Sequence, residues 1–106
     1  MAWMFVLAAG VLEIVWAYTM KLSQGFSRPG PTALTIAVML ASFALLSLSM
    51  KTLPLGTAYT VWTGIGAVGA FVVGVVALGE PLTSGRLVAA ALIVTGLIVM
   101  KLSTVA

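Results

Sequence analysis

The chain has 106 residues, of which 62% are hydrophobic and 7% charged; its net charge is +3, and it contains neither Cys nor His. A soluble domain carries about 25% charged residues, so this composition excludes a water-facing globule and specifies an integral membrane protein. Disulfides, thiol chemistry and the usual zinc or haem ligands are excluded with the Cys and His, and the scattered Lys and Arg form no basic patch for nucleic acid.

Four apolar runs are long enough, or with their flanks nearly so, to cross a ~30 Å hydrocarbon core as helices. They cover about residues 2–20, 31–50, 57–79 and 85–100. The breaks between them are short, and all four prolines, Pro29, Pro31, Pro54 and Pro81, fall in or beside them, as helix starts and turns require. The reading is an all-α membrane protein, a single four-helix transmembrane domain over residues 1–106 with both termini on one side. The first run does not read as a signal peptide, because it lacks a basic start and carries Glu13.

Within the first run Glu13 is the one formally charged residue. At roughly 1.5 Å per residue it lies about 10 Å from the Met20 end and about 17 Å from the Ala2 end. An ionisable group at that depth is costly and is by default a functional site with a partner to be named. No Lys, Arg or His lies in the interior of any of the four runs, Arg86 standing at the very start of the fourth. Glu13 is therefore either neutralised by a proton or paired with a cation from outside. A proton and a cation competing for one carboxylate is the minimal chemistry of an antiporter. The structural alternative is a protonated Glu that hydrogen-bonds a neighbouring helix, a task that Ser, Thr or Asn performs at lower cost.

The face that Glu13 shares with Val6, Ala9, Gly10, Trp16, Ala17 and Met20 is small on one side and aromatic on the other. Trp16, one turn away, either packs in the core or holds the carboxylate or a bound cation. Trp3 reads as an interfacial belt residue. In the second run Ser42 sits mid-membrane beside Phe43; it either bonds its own helix or donates to Glu13. In the third, Tyr59 and Trp62 share a face that continues into Gly66, Gly69 and Ala70, a cavity wall giving way to close helix contact. The fourth has no interior charge or aromatic, and its Gly85, Ala89 and Gly96 stripe reads as an association surface.

Lys21, Lys51 and Lys101 close three of the helices, where a cation suits the helix dipole. Lys21, Arg28 and Arg86 fall on one side of the membrane, and Lys51, Lys101 and the terminal amine on the other. Lys/Arg bias sets orientation, and this bias is close to nil. Insertion both ways round is the inference, and a weak bias that still wins is the alternative. Transporters often use inverted repeats for alternating access. A chain that inserts both ways supplies that symmetry by pairing two copies head to tail, with two Glu13 residues sharing one cavity as a coupled pair.

Nearly the whole chain resembles the small multidrug resistance family. The resemblance is carried by Glu13 in the first helix, Lys21-Leu22-Ser23-Gln24-Gly25-Phe26 after it, the stretch from Pro54 to Gly66 containing Tyr59 and Trp62, and Glu80-Pro81-Leu82-Thr83. Within the family, Gly10-x-x-Glu13-x-x-Trp16-Ala17 is similar to the guanidinium exporters. The resemblance implies a proton-coupled exporter in the cell inner membrane, working as an antiparallel homodimer without cofactor or metal. Glu13 would bind proton and substrate in turn, and Trp16, Ser42, Tyr59 and Trp62 would line the site, with Ser42 and Trp62 as hydrogen-bond partners of Glu13. The substrate would be guanidinium or a small guanidinylated cation. An exporter of quaternary ammonium or other cationic drugs is the alternative; a channel or accessory subunit ranks lower, and an enzyme lowest. Tyr18-Thr19 departs from the aliphatic residues expected there, and Val76-Ala77-Leu78-Gly79 is smaller and less aromatic than expected; either change would widen substrate tolerance.

Overall fold

The computed structural model of the chain describes residues 1–104. They form four helices and no strand: α1 (Ala2–Leu22), α2 (Pro29–Ser49), α3 (Leu55–Leu78) and α4 (Ser84–Ser103). All four are long and apolar enough to span a membrane. The helices begin where local chemistry allows. Pro29, not Pro31, opens α2, because a proline is tolerated in the first turn, where its missing N–H has no intrahelical partner. Helix α3 starts directly after Pro54, two residues before Thr57. The Thr83 hydroxyl accepts from Arg86 N at 3.2 Å and so caps α4. That helix runs past Met100 to Ser103.

The ends are equally local. Gly79, at φ 69°, closes α3 in the left-handed conformation, and Glu80 N returns to Gly74 O at 3.0 Å. After α1 the chain reverses through three left-handed residues in succession, Gln24, Gly25 and Phe26. Positive φ is costly for Phe. The fully buried Ser23 holds it there: its hydroxyl donates to Met20 O (2.6 Å) and accepts from Phe26 N (3.0 Å), while its carbonyl accepts from Ser27 N and Arg28 N.

In space the helices run in the order α2, α1, α3, α4: α1 packs on both α2 and α3, and the backbone of α4 packs on α3. The α1/α2 contact is fastened by polar side chains as well as by Val6, Ala9 and Leu46. Thr19 and Thr35 meet at 2.6 Å, and Thr35 also donates to Pro31 O. Thr19 thus uses its hydroxyl inside the helix pair. The α1/α3 contact is a reciprocal seam in which each glycine receives a side chain of the other helix. Ile65 fills the notch at Gly10, the Glu13 carboxyl fills that at Gly66, and Ile14 fills that at Gly69. A methyl group at any of the three would collide with its occupant.

The result is a slab of 42 × 34 × 16 Å, little thicker than one helix with its side chains, about 10–12 Å. A slab has two faces and no enclosed interior. Helix α4 buries no residue against the rest of the described chain, and Gly85 and Gly96 have open space where a Cβ would stand.

Candidate functional site

The site is assembled on the middle of α1 by contributions from α2 and α3. Glu13 is half-buried, and its carboxyl lies against the bare backbone of Gly66. Its Oε1 is buried and has no hydrogen-bond partner among the described residues. One turn on, the indole N–H of Trp16 is also buried without a partner. An unsatisfied donor and an unsatisfied acceptor on adjacent turns of one helix are exceptional, since buried polar groups are nearly always paired.

Ser42 is fully buried, and its bonding differs from both arrangements expected of it. It reaches neither its own helix nor Glu13. Its hydroxyl donates to Ala9 O on α1 at 2.7 Å and accepts from the Trp62 indole N–H at 3.0 Å. A hydroxyl has one proton, so a Ser42 that donates to Ala9 O has none for Glu13. Trp62, in turn, has its one N–H engaged at Ser42. The partnership of Glu13 with Ser42 and Trp62 implied by the resemblance is absent here. Ser42 acts on Glu13 indirectly: Ala9 O is the carbonyl that the helix pairs with the Glu13 backbone N–H, so α2 is pinned to the turn that carries the carboxylate.

Aromatic rings line up beside this network. The Trp16 and Phe43 centroids lie 6.3 Å apart, edge to face, Phe43 and Trp62 are 5.8 Å apart, and Trp62 and Tyr59 5.5 Å. The row crosses from α1 through α2 to α3 and brings Trp16, Tyr59 and Trp62 into one wall. Trp62 is its buried anchor at 7% exposure, whereas Tyr59 is 53% exposed. Phe43, the ring that joins the two halves, was not singled out in the sequence. Its signal was weak: it neighbours Ser42, but adjacent residues of a helix point about 100° apart, and only the crossing of α2 over α1 turns both toward the site.

Trp3, beyond this wall, packs under the Lys101 ammonium at 4.7 Å from its ring centroid, joining the start of α1 to the end of α4. At the opposite membrane face a cleft of about 130 Å³ opens between α1 and α3, lined by Ile14, Ala17, Tyr18, Lys21, Gly74 and Glu80 among others.

A row of mutually tilted rings beside an unpaired carboxyl suits a small organic cation: the carboxylate supplies charge and hydrogen-bond acceptors, and the ring faces supply cation–π attraction. Comparison with known proteins points the same way. Residues 1–104 match the sequence model of the Small Multidrug Resistance protein family. The chain is 54% identical over 104 residues to a guanidinium exporter of Citrobacter freundii and to one of Escherichia coli (strain K12), alignments that cover 98% of this chain and 99% of each relative. It is 54% identical over 103 residues to a guanidinium exporter of Salmonella typhi, covering 97% and 98%.

Proposed function

The chain belongs to the small multidrug resistance family, and we propose that it exports guanidinium or small guanidinylated cations in exchange for protons, with Glu13 as the carboxylate both compete for. As a family member it is a multi-pass protein of the bacterial inner membrane and a transporter rather than an enzyme. The observation that carries the finer reading is the Glu13 carboxyl itself, buried at one oxygen, without a donor to that oxygen among the described residues and seated on Gly66.

Guanidinium is a planar array of N–H donors, which can meet a carboxylate through paired hydrogen bonds. A quaternary ammonium has no N–H to offer and would rely on the rings alone. Guanidinium has no acceptor either, so the buried Trp16 N–H cannot bond to it. Trp16 contributes its ring face. A second copy in the opposite orientation places a second Glu13 across the cavity and covers a face of the slab. The unburied α4 and the near-equal distribution of Lys and Arg favour the same pairing.

In this mechanism, export follows from mutual exclusion. A protonated Glu13 neither attracts the cation nor accepts its two hydrogen bonds, so a proton arriving from one side releases substrate there. Substrate loading on the other side requires that proton to leave. Ser42 and Trp62 keep α2 and α3 fixed around the α1 turn during the exchange.

Proteoliposomes containing the purified protein test the reading. Guanidinium on one side is expected to drive proton movement toward it, tetraalkylammonium to drive far less, and Glu13→Gln none. Guanidinium uptake without proton exchange, or no uptake at all, refutes it.

A further inference from the structure

The carboxylate of Glu80 is the only acidic side chain besides Glu13, and no step above uses it. It lies at the end of α3 and folds back over the bare backbone of Gly74, where a methyl group would strike it. There it lines the cleft between α1 and α3. The inner end of that cleft is formed by Ile14 and Ala70. Ile14 follows Glu13 in sequence, and Ala70 is one turn beyond Gly66, so the cleft runs from the membrane face toward the turn that carries Glu13, although Glu13 and Gly66 do not line it. The Ile14 side chain, held in the notch at Gly69, closes it there.

Glu80 already holds a guanidinium group, that of Arg86. One nitrogen, Nη2, approaches Glu80 Oε1 at 3.4 Å. The same group donates to Pro81 O and lies 5.1 Å from the Phe71 ring centroid. Carboxylate and ring face are the elements that Glu13 and its aromatic wall offer at the transport site. The ion pair is a loose one. Charge-assisted N–H···O bonds are normally about 2.7–2.9 Å, and the strong ones are bidentate; this contact is longer and single, and both side chains are more than a third exposed. Such pairs contribute little and exchange readily. Lys21 lines the cleft from the α1 side, so with Arg86 and Lys21 both present an added cation enters by exchange with Arg86 and not alongside it.

We propose that Glu80 is a second guanidinium-binding station, at the mouth of the α1/α3 cleft, through which the cation passes between the aqueous face and Glu13, with the Arg86 side chain occupying the carboxylate when no substrate is there. The station rests on guanidinium being the substrate. It makes Arg86 an internal competitor. Removing Glu80 and removing Arg86 therefore act in opposite directions, whereas a purely structural ion pair loses the same interaction either way.

The experiment measures guanidinium KM in proteoliposomes for the wild type, Glu80→Gln, Arg86→Gln and Gly74→Ala, each first shown to elute as a monodisperse species from detergent. Glu80→Gln is expected to raise KM roughly three- to fivefold, the scale of a partly exposed charge pair. Gly74→Ala, which expels the carboxylate from the cleft and leaves its charge, is expected to raise it likewise and decides the matter if Glu80→Gln does not fold. Arg86→Gln is expected to lower KM. A wild-type KM in the folded Glu80 and Gly74 variants, or an Arg86→Gln value at or above that of the wild type, overturns the station. A wild type that does not transport guanidinium instead overturns the transport reading, and the two failures are distinct.

Discussion

Ser42 makes a quantitative prediction, because its hydroxyl is shared by two other helices. Replacing it with Ala removes the bond to Ala9 O and leaves the Trp62 N–H buried without an acceptor. A hydrogen bond contributes about 1 kcal/mol net, and an orphaned buried donor costs about 1–3 kcal/mol. The sum for Ser42→Ala is about 2–4 kcal/mol. In a Trp62→Phe background there is no N–H to orphan, and the same substitution costs about 1 kcal/mol. The difference is a coupling energy of about 1–3 kcal/mol. Interhelical hydrogen bonds in membranes couple by about 0.6 kcal/mol on average and about 1.7 at most, which narrows the expectation to about 1–1.7 kcal/mol. A double-mutant cycle on Ser42→Ala, Trp62→Phe and the pair, followed by reversible unfolding in mixed micelles, measures it. Additive effects, with coupling below about 0.3 kcal/mol, would show that Ser42 does not hold Trp62 and that α2 is not pinned to the Glu13 turn through this network.

Three further outcomes are expected. Gly66→Ala places a methyl group where the Glu13 carboxyl lies, so it should abolish saturable guanidinium uptake while the protein still purifies as a folded species; uptake with wild-type KM would show that Glu13 is free to sit elsewhere. For the wild type, guanidinium affinity measured by tryptophan fluorescence should weaken as pH falls. Protonation removes the charge that binds the cation, and the loss approaches about tenfold per pH unit for one competing proton. A pH-independent affinity would falsify the shared carboxylate, and the Glu13→Gln protein should show no pH-dependent binding in the same titration. Thr19→Val deletes the Thr19–Thr35 contact but leaves Thr35 its bond to Pro31 O; it should cost at most about 1 kcal/mol and leave the ratio of guanidinium to methylguanidinium transport unchanged. A shifted ratio would place Thr19 in the substrate path.

Glu13 was legible in the sequence because its signal is one of kind: a single charge in an apolar run needs no neighbour to be noticed. The helices were legible for a similar reason, with prolines and glycines marking their ends, although Pro29 and Leu55 begin α2 and α3 two residues earlier than the apolar runs do. Partnership was not legible. The sequence offered the Ser42 hydroxyl its own helix or Glu13, and the choice of Ala9 O depends on how α2 crosses α1. The pairing of Gly66 with Glu13 and of Gly69 with Ile14 likewise requires the register of α3 on α1. Periodicity gives which face a residue occupies but not the height at which two faces meet. Thr19 stands where an aliphatic residue was expected, and the crossing sets its hydroxyl against Thr35 as a fastening between helices. Phe43 was hidden by its neighbour: the hydroxyl of Ser42 is the polar signal of that pair, yet it is Phe43 that links Trp16 to Trp62.

The unpaired groups at the site bear on how it opens. Among the described residues the Trp16 N–H donor and the Glu13 Oε1 acceptor are both buried and both unpartnered. The chain's own atoms cover them, so a cation that bonds to both oxygens of Glu13 reaches Oε1 only when the side chains about that turn move apart. Buried polar groups without partners are costly, and that cost favours the movement. A cation then satisfies the acceptor and cannot satisfy the donor, which leaves the Trp16 N–H to water or to a neighbouring protein surface. Trp16 is therefore the residue that reports opening. Its indole N–H should be protected from solvent exchange without guanidinium and should lose that protection as guanidinium is added; protection that stays constant through the titration would show that the cation binds without opening the Glu13 turn.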